Sequence, residues 1–575
     1  MARKGAVKLT RPLVNIKVPA TLQAVLASRI DRLPPTEKEL LQTLAVIGRE
    51  FPFQLIREVR EKSQADLDRS LSALQSGEFI YEQPAFPDPE YVFKHALTQE
   101  VTYNSVLIER RKVLHDRAGA AIESLYASRL DEHLEELAHH YSRSDNTYKA
   151  VEYLRLASTQ ALKQSHHTEA IARARAAMEL LPKITSESDR RDEEFSLQLN
   201  LGMASMPVLG YAAPEVGDAL ERAAVLARQN RPGQPTFATI GGLYAFHISR
   251  ANLRRANQLA DEMLQIAATE KNDALAIEAH FALGASLFWL ARFGESLEHL
   301  NLGSVVRPGL SPVNIVGADT PAFAWAYQAS CLWQLGFPDE AAKMCSRALS
   351  RADSLNHPFS AATARLNAVE AVLHIDPQLA QQEAERIIEI SVEHGFRFQE
   401  AVGRIYRNMA IFDQLADPNV LTELGALIRG LAEFGARLSL PIHWAALAKG
   451  YGEIGAPEQG LTLVDEVLTA IERNSEYQMK AELYRLKGQL LLLQKQSNSE
   501  EAEQWFRTAM DLARGQQAKS WELRAATSLA QLLKKLSRRD EARNLIARIY
   551  NWFTEGFDTA DLKNAKALLE ELSTP

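Results

Sequence analysis

From Thr21 onward, apolar residues recur at steps of three and four with few breaks, which is the spacing of amphipathic α-helices. One stretch departs from it. In "GEFIYEQPAFPDPEYVFKH", Gly77 to His95, two short β-prone runs (Phe79–Tyr81 and Tyr91–Phe93) flank a turn holding Pro84, Pro87 and Pro89, which predicts a β-hairpin. Helical segments precede it. One opens at Pro35, with Thr36 and Glu39 spaced as a capping box ahead of "LLQTLAVIG". Another, "QADLDRSLSALQSG", sets Leu67, Leu71 and Leu74 on one face and stops at Gly77. Helices followed by a hairpin make a winged-helix pattern.

Beyond about residue 130 the pattern repeats. Six stretches align: "TEAIARARAAM", "RRANQLADEML", "DEAAKMCSRAL", "EQGLTLVDEVL", "EEAEQWFRTAM" and "DEARNLIARIY". Each begins with a small residue: Ala170, Ala256, Ala341, Gly460, Ala502 or Ala542. Seven positions later stands Ala177, Met263, Ala348, Val467, Ala509 or Ile549, which is two helical turns on and hence on the same face. A small residue there lets a preceding helix approach closely. The starts lie 86, 85, 119, 42 and 40 residues apart, multiples of roughly 40–43 residues with weaker matches such as "GESLEHLNLG" in the skipped slots. About ten helical hairpins are therefore expected. Alone, none can bury its apolar face; stacked, they form a solenoid. First helices such as "AWAYQASCLWQLG" and "IHWAALAKGYGEIG" end in a Gly suited to a left-handed cap. The register resembles tetratricopeptide repeats with a longer period; HEAT-like units match the period but lack the small-residue register.

Composition narrows the class. The 575 residues are 46% hydrophobic and 24% charged, with a net charge of −8, so the chain is globular and too long for one core. No block of Lys or Arg marks a nucleic-acid footprint. Cys331 and Cys345 build no disulfide framework and sit in no CxxC. The apolar run "ALGASLFWLARF" is cut by Arg292, short of the ~18 residues of a membrane helix. The basic start "MARKGAVKLTRP" lacks the apolar segment of a signal peptide. A cytoplasmic location is expected.

The joint "VPATLQAVLASRIDRLPP" resembles one in bacterial signal-transduction ATPases with numerous domains. There it links an ATPase core to a winged helix and a tetratricopeptide array, often behind a class III adenylate/guanylate cyclase domain. Further matches are "FKHALTQEVTYNSVLIERRKVLH", "LAHHYSRSDNTYKAVEYLRLAS", "AKSWELRAATSLAQLL" and "WFTEGFDTADLKNAKALLEEL", so the resemblance covers essentially the whole chain. It divides the chain into 1–16, the exit of an upstream ATPase domain; 17–128, a winged-helix-like module; 129–182, the first hairpins; 183–555, a tetratricopeptide-like superhelix; and 556–575, a capping helix. No GxxxxGK[ST] is present to hold a triphosphate, and the strands of a cyclase core are absent. The resemblance thus implies the regulatory half of such a protein, with a beginning that looks cut. The end looks genuine, with Asp558 expected to N-cap a last helix whose outer face carries Asp561, Lys563, Lys566 and Glu571.

Candidate chemistry is sparse. In related ATPases a winged-helix histidine touches the nucleotide; His95 is the matching position, and it could equally cap the next helix. His133, Glu136 and His140 share a helix face at i, i+3 and i+7, but lack HExxH spacing. Arg110, Arg111 and Lys112 offer phosphate contacts amid Glu109 and Asp116. No catalytic residue, metal or cofactor is expected. The expected partner surface is the concave side of the superhelix, with Arg250, Arg254, Trp325, Gln328, Arg365, Arg404, Arg407, His443 and Trp444.

The expected fold is all-α: a tetratricopeptide-like α-solenoid with a small N-terminal winged-helix module. The expected role is a non-catalytic sensor scaffold that binds a protein, peptide or small effector and relays it to an ATPase or cyclase unit in cis or trans. Neither membrane nor nucleic acid is expected as a partner. Two alternatives stay open: a fragment of a cyclase or ATPase signalling enzyme, and a transcription regulator using the winged helix on DNA.

Overall fold

The computed structural model describes residues 20–60, 63–84, 89–230, 237–306, 319–355, 357–494 and 498–574. The segment 1–16 and Pro87 lie outside them. Twenty-eight α-helices and three short strands are present among these residues, and the chain divides between Asn200 and Leu201 into two compact units.

The first unit opens with α1 (Ala20–Asp31), α2 (Pro35–Ile47), β1 (Glu50–Pro52), α3 (Phe53–Arg60) and α4 (Gln64–Ser76). The hairpin β2 (Ile80–Gln83) and β3 (Glu90–Phe93) follows, then α5 (Ala96–Ser105) and α6 (Ile108–Leu125). The sheet is antiparallel in the order β1-β3-β2, with Phe51 opposite Tyr91 and Ile80 opposite Phe93. Its buried face meets Leu41, Leu44, Ile56 and Leu71, and Phe51 sets its ring edge to Phe93 at 5.7 Å. Strand β1 is an addition to the sequence reading: three residues ending in Pro52 carry no alternation long enough to register.

Two capping expectations are corrected. Helix α2 begins with Pro35 at its first position and Pro34 as N-cap, and no side chain caps it. Thr36 is therefore inside the helix, and Glu39 pairs with Arg110 and Arg60 instead. The last helix, α28 (Ala560–Ser573), has Thr559 rather than Asp558 as its N-cap, again without a side-chain bond.

Helical hairpins begin with α7 (Leu134–Tyr141), α8 (Thr147–Lys163) and α9 (His167–Leu180), followed by α10 (Glu187–Leu209). The second unit carries α11 (Pro214–Asn230), α12 (Phe237–Ser249), α13 (Leu253–Glu270), α14 (Asp273–Trp289) and α15 (Phe293–Gly303). Next come α16 (Thr320–Leu335), α17 (Pro338–Ser354), α18 (Pro358–Ile375), α19 (Pro377–His394), α20 (Arg397–Leu415) and α21 (Pro418–Glu433). The series ends with α22 (Leu440–Glu453), α23 (Pro457–Asn474), α24 (Lys480–Leu493), α25 (Ser499–Gly515), α26 (Lys519–Lys535) and α27 (Arg539–Tyr550), ahead of α28.

The six aligned stretches are α9, α13, α17, α23, α25 and α27, the second helices of their hairpins. The skipped slots are α11, α15, α19 and α21. All six small residues are buried, as are the six residues two turns later. Local chemistry punctuates the hairpins. Proline opens α17, α19, α21 and α23, where its missing N–H costs nothing. Asp376 and Asp417 accept from the first amides of α19 and α21. Gly336 and Gly455 turn out of their helices at φ of +93° and +82°. Within the second unit each helix packs on the next, and first helices also touch the first helix of the following hairpin. This is an all-α, tetratricopeptide-like solenoid.

That solenoid bends back on itself. Helix α16 packs against α26, and Ser520 Oγ donates to the Trp333 carbonyl at 2.5 Å. The Trp333 ring stands edge-on to Trp521 at 4.7 Å. The amides of Asp339 and Glu340, at the start of α17, donate to Glu555. Arg437 N and Leu438 N donate to the Ser249 carbonyl. One buried cluster accordingly joins Leu253, Phe288, Tyr327, Ile442, Met479 and Trp521.

Candidate functional site

The expected concave face does not form one surface. Trp325, Gln328, Arg365 and His443 are at most 5% exposed. Trp325 lies beneath the Arg347 guanidinium at 3.9 Å, and Gln328 Nε2 donates to Asn301 and Ser304. Arg365 pairs with Asp353 and Glu383. Arg404 forks onto Glu400, and Arg407 reaches Asn408. Arg250 donates to the Ala212 carbonyl, while Arg254 is exposed. Trp444 lines a mostly apolar cleft of about 300 Å³ with Arg437, Leu440 and Arg473.

The cause is visible in α16. It bears no charged residue from Thr320 to Leu335, and every position through Gln334 except Leu332 is buried. A helix apolar on all sides has neighbours on all sides. The first helices therefore pack inward on each other and leave no open trough at these positions.

In the first unit the remaining candidates also separate. His95 is exposed, and its side chain makes no capping bond on α5. His133 bonds to Glu136 and stacks on Tyr126 at 3.9 Å. His140 is instead in the core, its Nδ1 3.0 Å from Nδ1 of His115. Burial lowers both of these imidazoles to about 3, so one neutral ring donates to the other. Tyr103 completes the chain at His115 Nε2. The basic run is engaged: Arg110 with Glu39, Arg111 over the Tyr103 ring, and Lys112 with Glu109 and Asp145. Cys331 and Cys345 are buried and free, their thiols pushed up to about 12 by burial. They are inert.

The second unit holds polar groups that the sequence reading missed. Glu370, in α18, is half-buried. Among the described residues its carboxylate takes no hydrogen bond and no ion pair. Burial nevertheless pushes it up to about 8. Around it stand Tyr327 and Cys331 of α16, Tyr406 of α20, and Glu476 in the turn before α24, all within electrostatic reach. Tyr327 OH accepts from Trp289 Nε1 at 3.1 Å.

Glu476 is fully buried. One of its oxygens accepts from Ser439 N at 2.9 Å, and Oε2 has no partner. Burial raises its carboxyl well above the usual range; the Ser439 bond opposes this and Glu370 adds to it. His443, edge-on to Tyr406 at 5.3 Å, has neither ring nitrogen bonded, and burial lowers it to about 4. Gln478 is also fully buried, with both amide atoms unbonded. Its backbone carbonyl accepts from Trp521 Nε1 at 3.1 Å.

One turn beyond Glu370, His374 stacks on Trp333 at 4.1 Å and lies 3.4 Å from Arg524 Nη2. That guanidinium also pairs with Asp561 and Glu482, so Asp561 belongs to an inward contact rather than to a free polar cap. A native interior rarely leaves this many polar atoms unsatisfied, since each costs ~1–3 kcal/mol.

The Glu370 carboxyl sets a pH dependence. Folded, it holds its proton up to about 8, against an ordinary value of 4.5. Between those values the folded state binds more protons than the unfolded one, so stability falls as pH rises through the window and levels above it. Glu370→Gln removes this contribution. The variant should match the parent at pH 4 and exceed it by ~2 kcal/mol at pH 9 in urea unfolding, the full shift being discounted for interior water. Parallel pH profiles for the two proteins would refute the assignment.

No protein-family model matches the chain. Over 522 residues it is 23% identical to an uncharacterized protein of Rhizobium meliloti (strain 1021), covering 89% of this chain and 50% of that one. The chain thus spans about half the length of that curated relative. Among solved structures, it is similar to a Signal Transduction ATPase with Numerous Domains protein with a tetratricopeptide repeat sensor from Pyrococcus horikoshii. That match has 12% identity, 97% and 67% coverage of the two chains and a TM-score of 0.30. The APC/C hetero-tetramer Cut9-Hcn1 gives 11% identity, 80% and 94% coverage and a TM-score of 0.46. A Rap protein complexed with Competence and Sporulation Factor gives 12%, 74% and 99%, and 0.37.

Proposed function

We propose that the chain is a non-catalytic sensor scaffold whose helical-hairpin array takes up an effector and relays its presence to an ATPase or cyclase unit, in cis or in trans. The observation that carries this reading is the set of unsatisfied polar groups inside the second unit. Among the described residues, buried side-chain atoms of Glu476, His443 and Gln478 have no hydrogen-bond partner, and the Glu370 carboxylate is unpaired, as is commoner in binding sites than in finished cores. In this reading the helices and three-stranded sheet within residues 17–128 are a winged-helix switch module. An effector that binds one arrangement of the array better than another shifts the population toward it. The full assignment of segments at 129–182, 183–555 and 556–575 belongs to the same proposal.

Chain isolated from its source cells under native conditions and then denatured should release a small molecule or peptide in near-stoichiometric amount, detectable by mass spectrometry. The same preparation should neither hydrolyse ATP or GTP nor form a cyclic nucleotide. Nucleotide turnover by the chain itself would overturn the scaffold reading. So would an empty preparation that no compound of a broad effector panel stabilises against heat.

A further inference from the structure

We infer that the buried polar groups around Glu370 and Glu476 select a small organic cation, a primary ammonium or guanidinium group, with Glu370 as its counter-ion. The inference deepens the sensor reading and rests on it.

Charge is the first argument. Two carboxylates, Glu370 and Glu476, act on each other electrostatically, and neither is paired with a Lys or Arg side chain among the described residues. Among the described residues Glu370 has no hydrogen-bond or ion-pair partner, and Glu476 keeps Oε2 free beside its single bond from Ser439 N. Cations on or against α18 are committed elsewhere: Arg365 to Asp353 and Glu383, and Arg524, beside His374, to Asp561 and Glu482. Buried carboxylates without a counter-charge are costly, and a guest of positive charge offsets that cost where an anion would add to it.

The second argument is independent of the acids. His443 and Gln478 are fully buried, and four of their polar atoms have no partner. Gln478 Oε1 and one His443 nitrogen can accept from an N–H donor, and His443 lies against the Tyr406 ring, which is within electrostatic reach of Glu370. Burial keeps His443 neutral, with at least one ring nitrogen free to accept. A bare divalent ion is a poorer fit, because no group of three or more His, Cys, Asp or Glu in ligating range occurs among the described residues.

The test uses the full chain with agmatine and cadaverine as probes, and with N,N′-diacetylcadaverine and 1,5-pentanediol as neutral counterparts. At pH 8 the cations should raise the melting temperature saturably, while the neutral compounds leave it unchanged. Glu370→Gln should weaken cation binding at least tenfold by calorimetry. Its own unfolding temperature, at or above the parent's, would show that the fold is retained. Undiminished cation binding by Glu370→Gln overturns the inference. If neither cation binds but a neutral or anionic compound does, and Gln478→Met abolishes that binding, the cation assignment falls and the sensor reading stands. If no compound binds, both fall.

Discussion

Replacing Trp521 with alanine should destabilise the chain by ~3–5 kcal/mol, the range for emptying a large buried aromatic site. The side chain is 1% exposed. Its indole N–H reaches the Gln478 carbonyl, its ring meets Trp333 edge-on, and Arg524 lies 5.0 Å from its centre. Those neighbours come from α16, from the turn before α24 and from α26 itself, so one truncation loosens three distant stretches together. Hydrogen exchange offers a more specific check than the size of the loss. Amides of α16 should lose protection along with those of α26, although 187 residues separate Ser520 from Trp333. If α16 keeps its protection in Trp521→Ala, the closure between these helices is not part of the folded unit's stability.

The second large effect tests the small-residue register. A Cβ at Gly460 would stand 2.8 Å from the Ala448 carbonyl oxygen and about 3 Å from both methyls of Leu490. The oxygen belongs to the backbone of α22 and cannot swing aside. Alanine gains ~1 kcal/mol of helix propensity over glycine, whereas overpacking against a fixed helix costs ~1–3 kcal/mol or more, so packing should win. Gly460→Ala should be mildly destabilising and Gly460→Val destabilising by ~3 kcal/mol. Gly430, inside α21, is the control: an added Cβ meets nothing within 4 Å, so Gly430→Ala should stabilise by ~0.5–1 kcal/mol. Denaturant midpoints of the three variants decide the matter. Equal behaviour of Gly460→Ala and Gly430→Ala would show that the register is a coincidence of composition.

That register was legible because it depends on spacing alone. Ala170, Ala256, Ala341, Gly460, Ala502 and Ala542 announced the second helices and even the four skipped slots. Helix ends marked by Gly336 and Gly455 were legible for the same reason, since a left-handed cap is a local demand. The inner surface was not. Periodicity shows which residues of a first helix are apolar, but cannot show which side chains of α15, α17, α19 or α20 come to cover them, because those contacts have no local signature. The pattern therefore assigned Trp325, Gln328, Arg365 and His443 to an open groove. Two signals were available and overlooked. The charge-free run of α16 implied neighbours on every side, and Glu370, set in "NAVEAVLHI", was a carboxylate in a largely apolar stretch of helix.

The return of α26 onto α16 also bears on how such an array can change over generations. Repeat proteins commonly gain or lose units by unequal recombination, since each unit needs only its neighbours. Here five hairpin steps separate the two helices that meet. Adding or deleting one unit of about 40 residues would carry Trp521 past Trp333 and leave both tryptophans, with Arg524, facing the wrong helix. The closure therefore constrains copy number within this stretch, and related chains are expected to differ in length before α16 or within loops, but not between α16 and α26.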